Sequence, residues 1–142
     1  VKYYLGGFNV VVTQTSSSFY NIERQSSSGY FYSGNPKNAL GKISLMYVSD
    51  YGYATSDECT SYLDSYNSDI CKNNNWLFSA SNENVLTPNL NDGAVCQIDS
   101  KGGVLANSCV NVKRSVRPVL YLKADIKVAD GDGTSNNPYI FE

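Results

Sequence analysis

At 142 residues the chain suits one domain, and a hydrophobic fraction of 42% is enough to build a core. A net charge of -2, without clustered Lys or Arg, excludes the electrostatic footprint of a nucleic-acid or anionic-lipid binder. Charged residues make up 17%, below the roughly 25% of an average soluble domain, so the solvated surface must be largely neutral and hydrogen-bonding.

In chain order, the first half reads as short strands at residues 10–13, 19–22, 30–32 and 42–48, separated by serine-rich loops at 16–18 and 26–29. Ile43, Leu45 and Tyr47 alternate with Ser44 and Met46, which gives the fourth strand one buried face. The period then changes. Cys59, Tyr62, Leu63, Tyr66 and Ile70 follow helical spacing, with Ser56 or Asp57 as N-cap, and this is the one helix expected. Run unbroken, that helix would hold Cys59 and Cys71 roughly 18 Å apart, so a bridge between them requires it to stop near Tyr66. Asn67, Ser68 and Asp69 are suitable residues for turning the chain back. Residues 79–92, polar and rich in Asn, read as a loop long enough to be functional. A hairpin follows. Residues 116–123 are apolar on both faces and predict a central strand, with Pro118 near its start where a missing N–H is tolerated. Residues 126–128 close the sheet ahead of a turn-rich exit.

Four cysteines, no His and no Cys-x-x-Cys argue against a zinc site and for two disulfides. Cys96 and Cys109 stand at equal distances on either side of Gly102-Gly103. A two-residue loop there pairs Lys101 with Val104, Asp99 with Ala106 and Cys96 with Cys109, in a non-hydrogen-bonded pair whose α-carbons approach to about 4.5 Å. That distance permits a disulfide. Bridges Cys59–Cys71 and Cys96–Cys109 place the protein in an oxidising, extracellular compartment. No run of 18 or more apolar residues predicts direct membrane insertion, and the strand-like opening at Lys2 suggests an ectodomain. Sixteen Asn without one Asn-x-Ser/Thr acceptor agree with a bacterial cell surface.

Catalysis is poorly supplied, since no His can act as base and every Cys has a partner in this scheme. A hydrolase would have to use carboxylates such as Glu23, Asp50 or Asp92, and their spacing marks no acid–base pair. Arg117 lies in an apolar strand and needs a buried partner, for which Asp50 or Glu23 is suited and Asp50 is preferred. Asp130, Asp132, Thr134 and Asn136 alternate oxygen ligands as in a calcium loop, but Ser135 replaces the required Gly and Phe141 the bidentate Glu. Neither a metal nor a cofactor is therefore assigned. Amides beside aromatic rings make Asn74, Asn75, Trp76, Phe78, Asn82, Asn91 and Asp92 the candidate ligand-binding residues.

Leu5-Gly6-Gly7, Gly41-Lys-Ile-Ser-Leu-Met-Tyr47, Ser49-Asp-Tyr-Gly-Tyr-Ala-Thr55, Asn74-Asn-Trp-Leu77, Val116-Arg-Pro-Val-Leu-Tyr-Leu-Lys123 and Gly131-Asp-Gly-Thr-Ser-Asn-Asn-Pro-Tyr139 resemble the C-terminal ectodomains of pilin-like, prepilin-type surface proteins of gut Firmicutes. The order of Trp-Leu, a glycine-containing hairpin and Val-Arg-Pro is also similar to a bacterial C-type-lectin-like module related to sulfatase-modifying-factor domains. Some relatives of that fold are variable ligand-binding proteins. These resemblances imply an extracellular binding or adhesion role and supply no catalytic residue. The expectation is thus a single extracellular α+β domain spanning 1–142, mainly antiparallel sheet with one short helix and long loops. It is C-type-lectin-like, with a β-sandwich as the alternative. Its expected function is non-catalytic recognition of a glycan or a host or bacterial surface protein. A structural pilin-like or surface-layer subunit is the alternative, and a carboxylate-based hydrolase the second alternative.

Overall fold

The computed structural model describes residues 1–7, 11–25, 29, 36–89, 94–109, 112–134 and 136–142, with the backbone alone for 107–109. The architecture is mixed α and β, with small antiparallel sheets and few helices. In chain order the elements are β1 (Lys2–Tyr4), α1 (Ser16–Glu23), β2 (Asn38–Leu40), β3 (Ser44–Leu45), α2 (Val48–Tyr53), a 3-10 turn (Leu63–Ser65) and α3 (Asp69–Lys72). They continue with β4 (Glu83–Pro88), β5 (Ala94–Ile98), β6 (Val104–Cys109), β7 (Pro118–Val119), β8 (Val128–Asp130) and β9 (Ile140–Phe141). The main sheet runs β4-β5-β6, and the pairs β1-β2, β3-β7 and β8-β9 are separate two-stranded ribbons.

Residues 16–23 form a helix rather than the expected loop and strand. Thr15, with extended backbone, accepts from the N–H of Ser18 through its hydroxyl, as an N-cap should. Phe19, Ile22 and Glu23 then fall at i, i+3 and i+4 on the face turned to the core, where Phe19 and Glu23 are fully buried. Residues 42–48 keep only two residues of strand, because Asp50 accepts from the N–H of Tyr47 (2.9 Å) and starts α2. Gly52 in α2 lies so close to Ser16 and Leu63 that a β-carbon there would collide with both.

The helix expected from residue 59 is replaced by the 3-10 turn and the single-turn α3, with residues 66–68 reversing the chain between them. Cys59 and Cys71 meet in a disulfide, their α-carbons 4.8 Å apart. The condition for that bridge, an interruption near Tyr66, is met.

The other bridge does not form, and Cys96 is a free, buried thiol. A hairpin does join β5 to β6, but its loop is Ser100-Lys101-Gly102. The Asp99 N–H donates to the Gly103 carbonyl (2.9 Å) and the Gly102 N–H to the Asp99 carbonyl (3.0 Å). The Asp99 carboxylate accepts from the N–H groups of Lys101 and Gly103 (2.8 and 2.9 Å), and Gly102 supplies the positive φ that such a three-residue turn requires. Ile98 therefore faces Val104, and a further shift beyond Gln97 sets Cys109 opposite Ala94. Cys96 is left one diagonal away from Cys109, where α-carbons stand about 7–8 Å apart, too far for a disulfide.

Residues 83–88, expected as loop, form β4, whose inward residues Glu83, Val85 and Thr87 alternate with half-buried ones. Residues 116–123, expected as a central strand, contribute only Pro118 and Val119, paired with β3. The core gathers Phe19, Met46, Val48, Tyr51, Leu63, Tyr66, Val85, Ile98 and Val104. The Tyr51 hydroxyl donates to the Gly102 carbonyl and so ties the hairpin turn to α2.

Candidate functional site

Asn75 is buried and organises the segment before β4. Its amide donates to the Tyr51 carbonyl (2.9 Å) and its side-chain oxygen accepts from the Leu77 N–H (2.9 Å). The Trp76 N–H donates to the Ala54 carbonyl, so the residue is fixed by its backbone at the end of α2 while its side chain projects outward, leaving it 79% exposed. A ring that size in water, held by a hydrogen-bonded backbone, is a ready contact surface.

Trp76 borders a groove of about 330 Å³ that also takes Tyr20 from α1, Tyr53 from α2, and Leu120 and Tyr121 from the segment after β7. Tyr53 meets Tyr20 edge to face at 6.3 Å, and Tyr121 packs against Tyr3 at 5.8 Å. Asp50 is the groove's acidic group. Burial holds its carboxyl above the usual range, offset in part by the Tyr47 N–H and the charge of Arg24. The Tyr121 phenol is raised by burial and then by the charge of Asp50. The site combines apolar ring faces with one carboxylate, a combination suited to a ligand with apolar faces and hydrogen-bond donors.

Of the five ligand-binding candidates among the described residues, only Trp76 lines this groove. Asn74 is exposed and donates to the Ile70 carbonyl, Asn75 is structural, and Phe78 packs against the core. Asn82 accepts from the Ser100 N–H and the Gln97 amide at a different face, beside Lys113 and Arg114. Asn91 and Asp92 lie outside the described residues. Sequence reasoning missed Tyr20, Tyr53, Leu120 and Tyr121, whose exposure follows from tertiary packing rather than from any local pattern.

The partner of Arg117 is Glu83, not Asp50. The guanidinium donates to Glu83 Oε1 (2.8 Å) and to the Leu77 carbonyl (2.7 Å), tying the segment after Trp76 to β4. Asp50 caps α2 instead, and Glu23 is engaged elsewhere. Glu23 is 0% exposed and accepts from the Ser49 N–H, the Ser49 and Thr87 hydroxyls and Arg24. Burial pushes its carboxyl up to about 7 against those lowering bonds. Sealed from solvent, it cannot touch a ligand.

Asp130 ends β8, and Asp132 and Thr134 follow it in the turn of the β8-β9 ribbon. Asp130 accepts from the Gly131 N–H and Asp132 from the Thr134 N–H, which holds the Asp132 carboxyl below its ordinary value. No cluster of three or more His, Cys, Asp or Glu that could hold a metal occurs among the described residues, and no described helix is long and apolar enough to cross a membrane. Compared with protein-family models, curated proteins and solved structures, the chain matches none.

Proposed function

We propose that this domain is a non-catalytic recognition module of a bacterial cell surface, and that it binds a glycan in the groove beside Trp76. The observation that carries this reading is the exposed Trp76 ring on a backbone hydrogen-bonded to Ala54, bordered by Tyr20, Tyr53 and Tyr121 and by the Asp50 carboxylate. Sugar rings present apolar C–H faces that stack on aromatic faces, and hydroxyls that donate to a carboxylate. The Cys59–Cys71 disulfide agrees with an oxidising, extracellular setting. The resemblance to C-type-lectin-like modules and to pilin-like ectodomains points the same way, toward small antiparallel ribbons that present loops.

A glycan array tests the reading. Wild-type protein is expected to bind at least one class of chain, and Trp76→Ala to weaken that binding about tenfold or more. Because the side chain is exposed, the variant should keep the wild-type melting temperature. Binding that survives Trp76→Ala unchanged overturns the assignment of the groove.

A second reading, a structural assembly subunit, is favoured by one feature. The β8-β9 ribbon leaves Val128, Tyr139, Ile140 and Phe141 exposed, and an isolated two-stranded ribbon is marginal on its own. Sedimentation of the protein over a concentration series tests it. Association that is lost in Ile140→Ser/Phe141→Ser supports the reading, and a monomer throughout rejects it.

A further inference from the structure

We propose that the groove is one half of a longer cleft that crosses Tyr53, and that its ligand is a linear, uncharged oligosaccharide rather than a single sugar or an acidic one. This inference rests on the recognition reading above and specifies its ligand.

A second depression, about 280 Å³ in volume, opens on the other side of the same residue. Tyr53 lines both, Ala54 faces the groove and Gly52 the depression, so the C-terminal end of α2 is the ridge between them. The two halves differ in chemistry. The groove is walled mainly by rings and aliphatic side chains, whereas the wall of the depression sets Ser17, Thr60 and Ser61 beside the Tyr66 ring, with the Ser16 and Thr55 hydroxyls bonded to Tyr66 and to the Cys71 carbonyl. The Cys59–Cys71 disulfide pins that wall to α3.

Rings on one side and hydroxyls on the other match a chain whose successive units alternate stacking faces with hydrogen-bonding edges. Each half lies near the lower end of small-molecule site volumes, so one unit does not fill both. Charge narrows the class further. Asp50 lines one half and Asp57 the other, and no described Lys or Arg lines either. Arg24 stacks on Tyr20 at 3.6 Å and is engaged with Glu23. A uronate, sialate or phosphate would meet the Asp50 and Asp57 carboxylates with the charge of Arg24, already paired with Glu23, offsetting them in part, and this disfavours it.

The test uses isothermal titration of the intact domain with length series, from monosaccharide to hexasaccharide, of neutral β-glucan, xylan, mannan and N-acetylglucosamine chains, and of oligogalacturonate. For the series that binds, affinity should rise about tenfold or more between the shortest and longest members. Thr60→Ala/Ser61→Ala should abolish that gain while leaving affinity for the shortest chain unchanged, whereas Trp76→Ala weakens every length. Both variants alter exposed or half-exposed side chains, and their melting temperatures report folding. Length-independent binding overturns the extended cleft, tightest binding to oligogalacturonate overturns the uncharged ligand, and either result leaves the groove reading standing. No binding in any series overturns both.

Discussion

The body of the domain and its C-terminal segment use apolar residues in opposite ways. In the body, α1, α2 and the β4-β5-β6 sheet close over Phe19, Val48, Tyr51, Leu63 and Val85, and Glu23, buried beside them, is hydrogen-bonded to Ser49 and Thr87. From residue 120 onward Leu120, Leu122, Val128, Ile140 and Phe141 stay in water, and the β8-β9 ribbon pairs only with itself. Apolar content therefore marks core in one region and available surface in the other. What separates them is whether a layer covers the element, not how apolar the element is.

The sharpest way to break this contrast is a pair of truncations. Phe19→Ala should cost about 4 kcal/mol in urea unfolding, as a fully buried ring leaves a cavity. Phe141→Ala, 45% exposed, should change stability by less than about 0.5 kcal/mol. Equal costs would mean that the C-terminal ribbon is packed after all.

A second test concerns the buried carboxyl of the body. Below about pH 4.5 Glu23 is protonated in both folded and unfolded chains and costs nothing. As pH rises toward 7 the unfolded chain ionises first, so stability falls, by up to about 3 kcal/mol, and the loss is complete above the folded value of about 7. Glu23→Gln should flatten this part of the pH–stability curve. A curve equally steep in the variant would assign the pH dependence to other groups.

The cysteines sharpen the comparison within the body. Cys59→Ser/Cys71→Ser opens a loop with a sequence separation of 12 and should lower stability by about 3 kcal/mol. Cys96 is a buried residue of β5, and burial pushes its thiol up to about 12. It should resist alkylation at pH 8 in the native protein and react after unfolding in urea. Rapid native labelling at Cys96 would contradict its burial.

The parts legible in the sequence are those decided locally. The Cys59–Cys71 bridge was legible because it requires the helix to stop near Tyr66, where residues 67–69 are suited to turn the chain back, and the β5-β6 hairpin was legible from its glycines. The register of that hairpin was not legible, because one side chain, Asp99, converts a two-residue turn into a three-residue one and moves Cys96 away from Cys109. The α1 helix was hidden behind serines and strand-favouring aromatics. The signals that could have found it are the Thr15 cap and the spacing of Phe19, Ile22 and Glu23. At the candidate site, Trp76 was legible as an aromatic among amides. Tyr20, Tyr53 and Tyr121 were not, since only the packing of α1, α2 and β7 brings them beside it.

Trp76 is the single tryptophan of the chain, so its fluorescence reports the groove without a label. Titrating the domain with the best-binding neutral oligosaccharide should shift the emission to the blue and saturate at the dissociation constant found by calorimetry, as the exposed indole is covered. Saturable binding by calorimetry with unchanged tryptophan emission would place the ligand elsewhere and contradict the account.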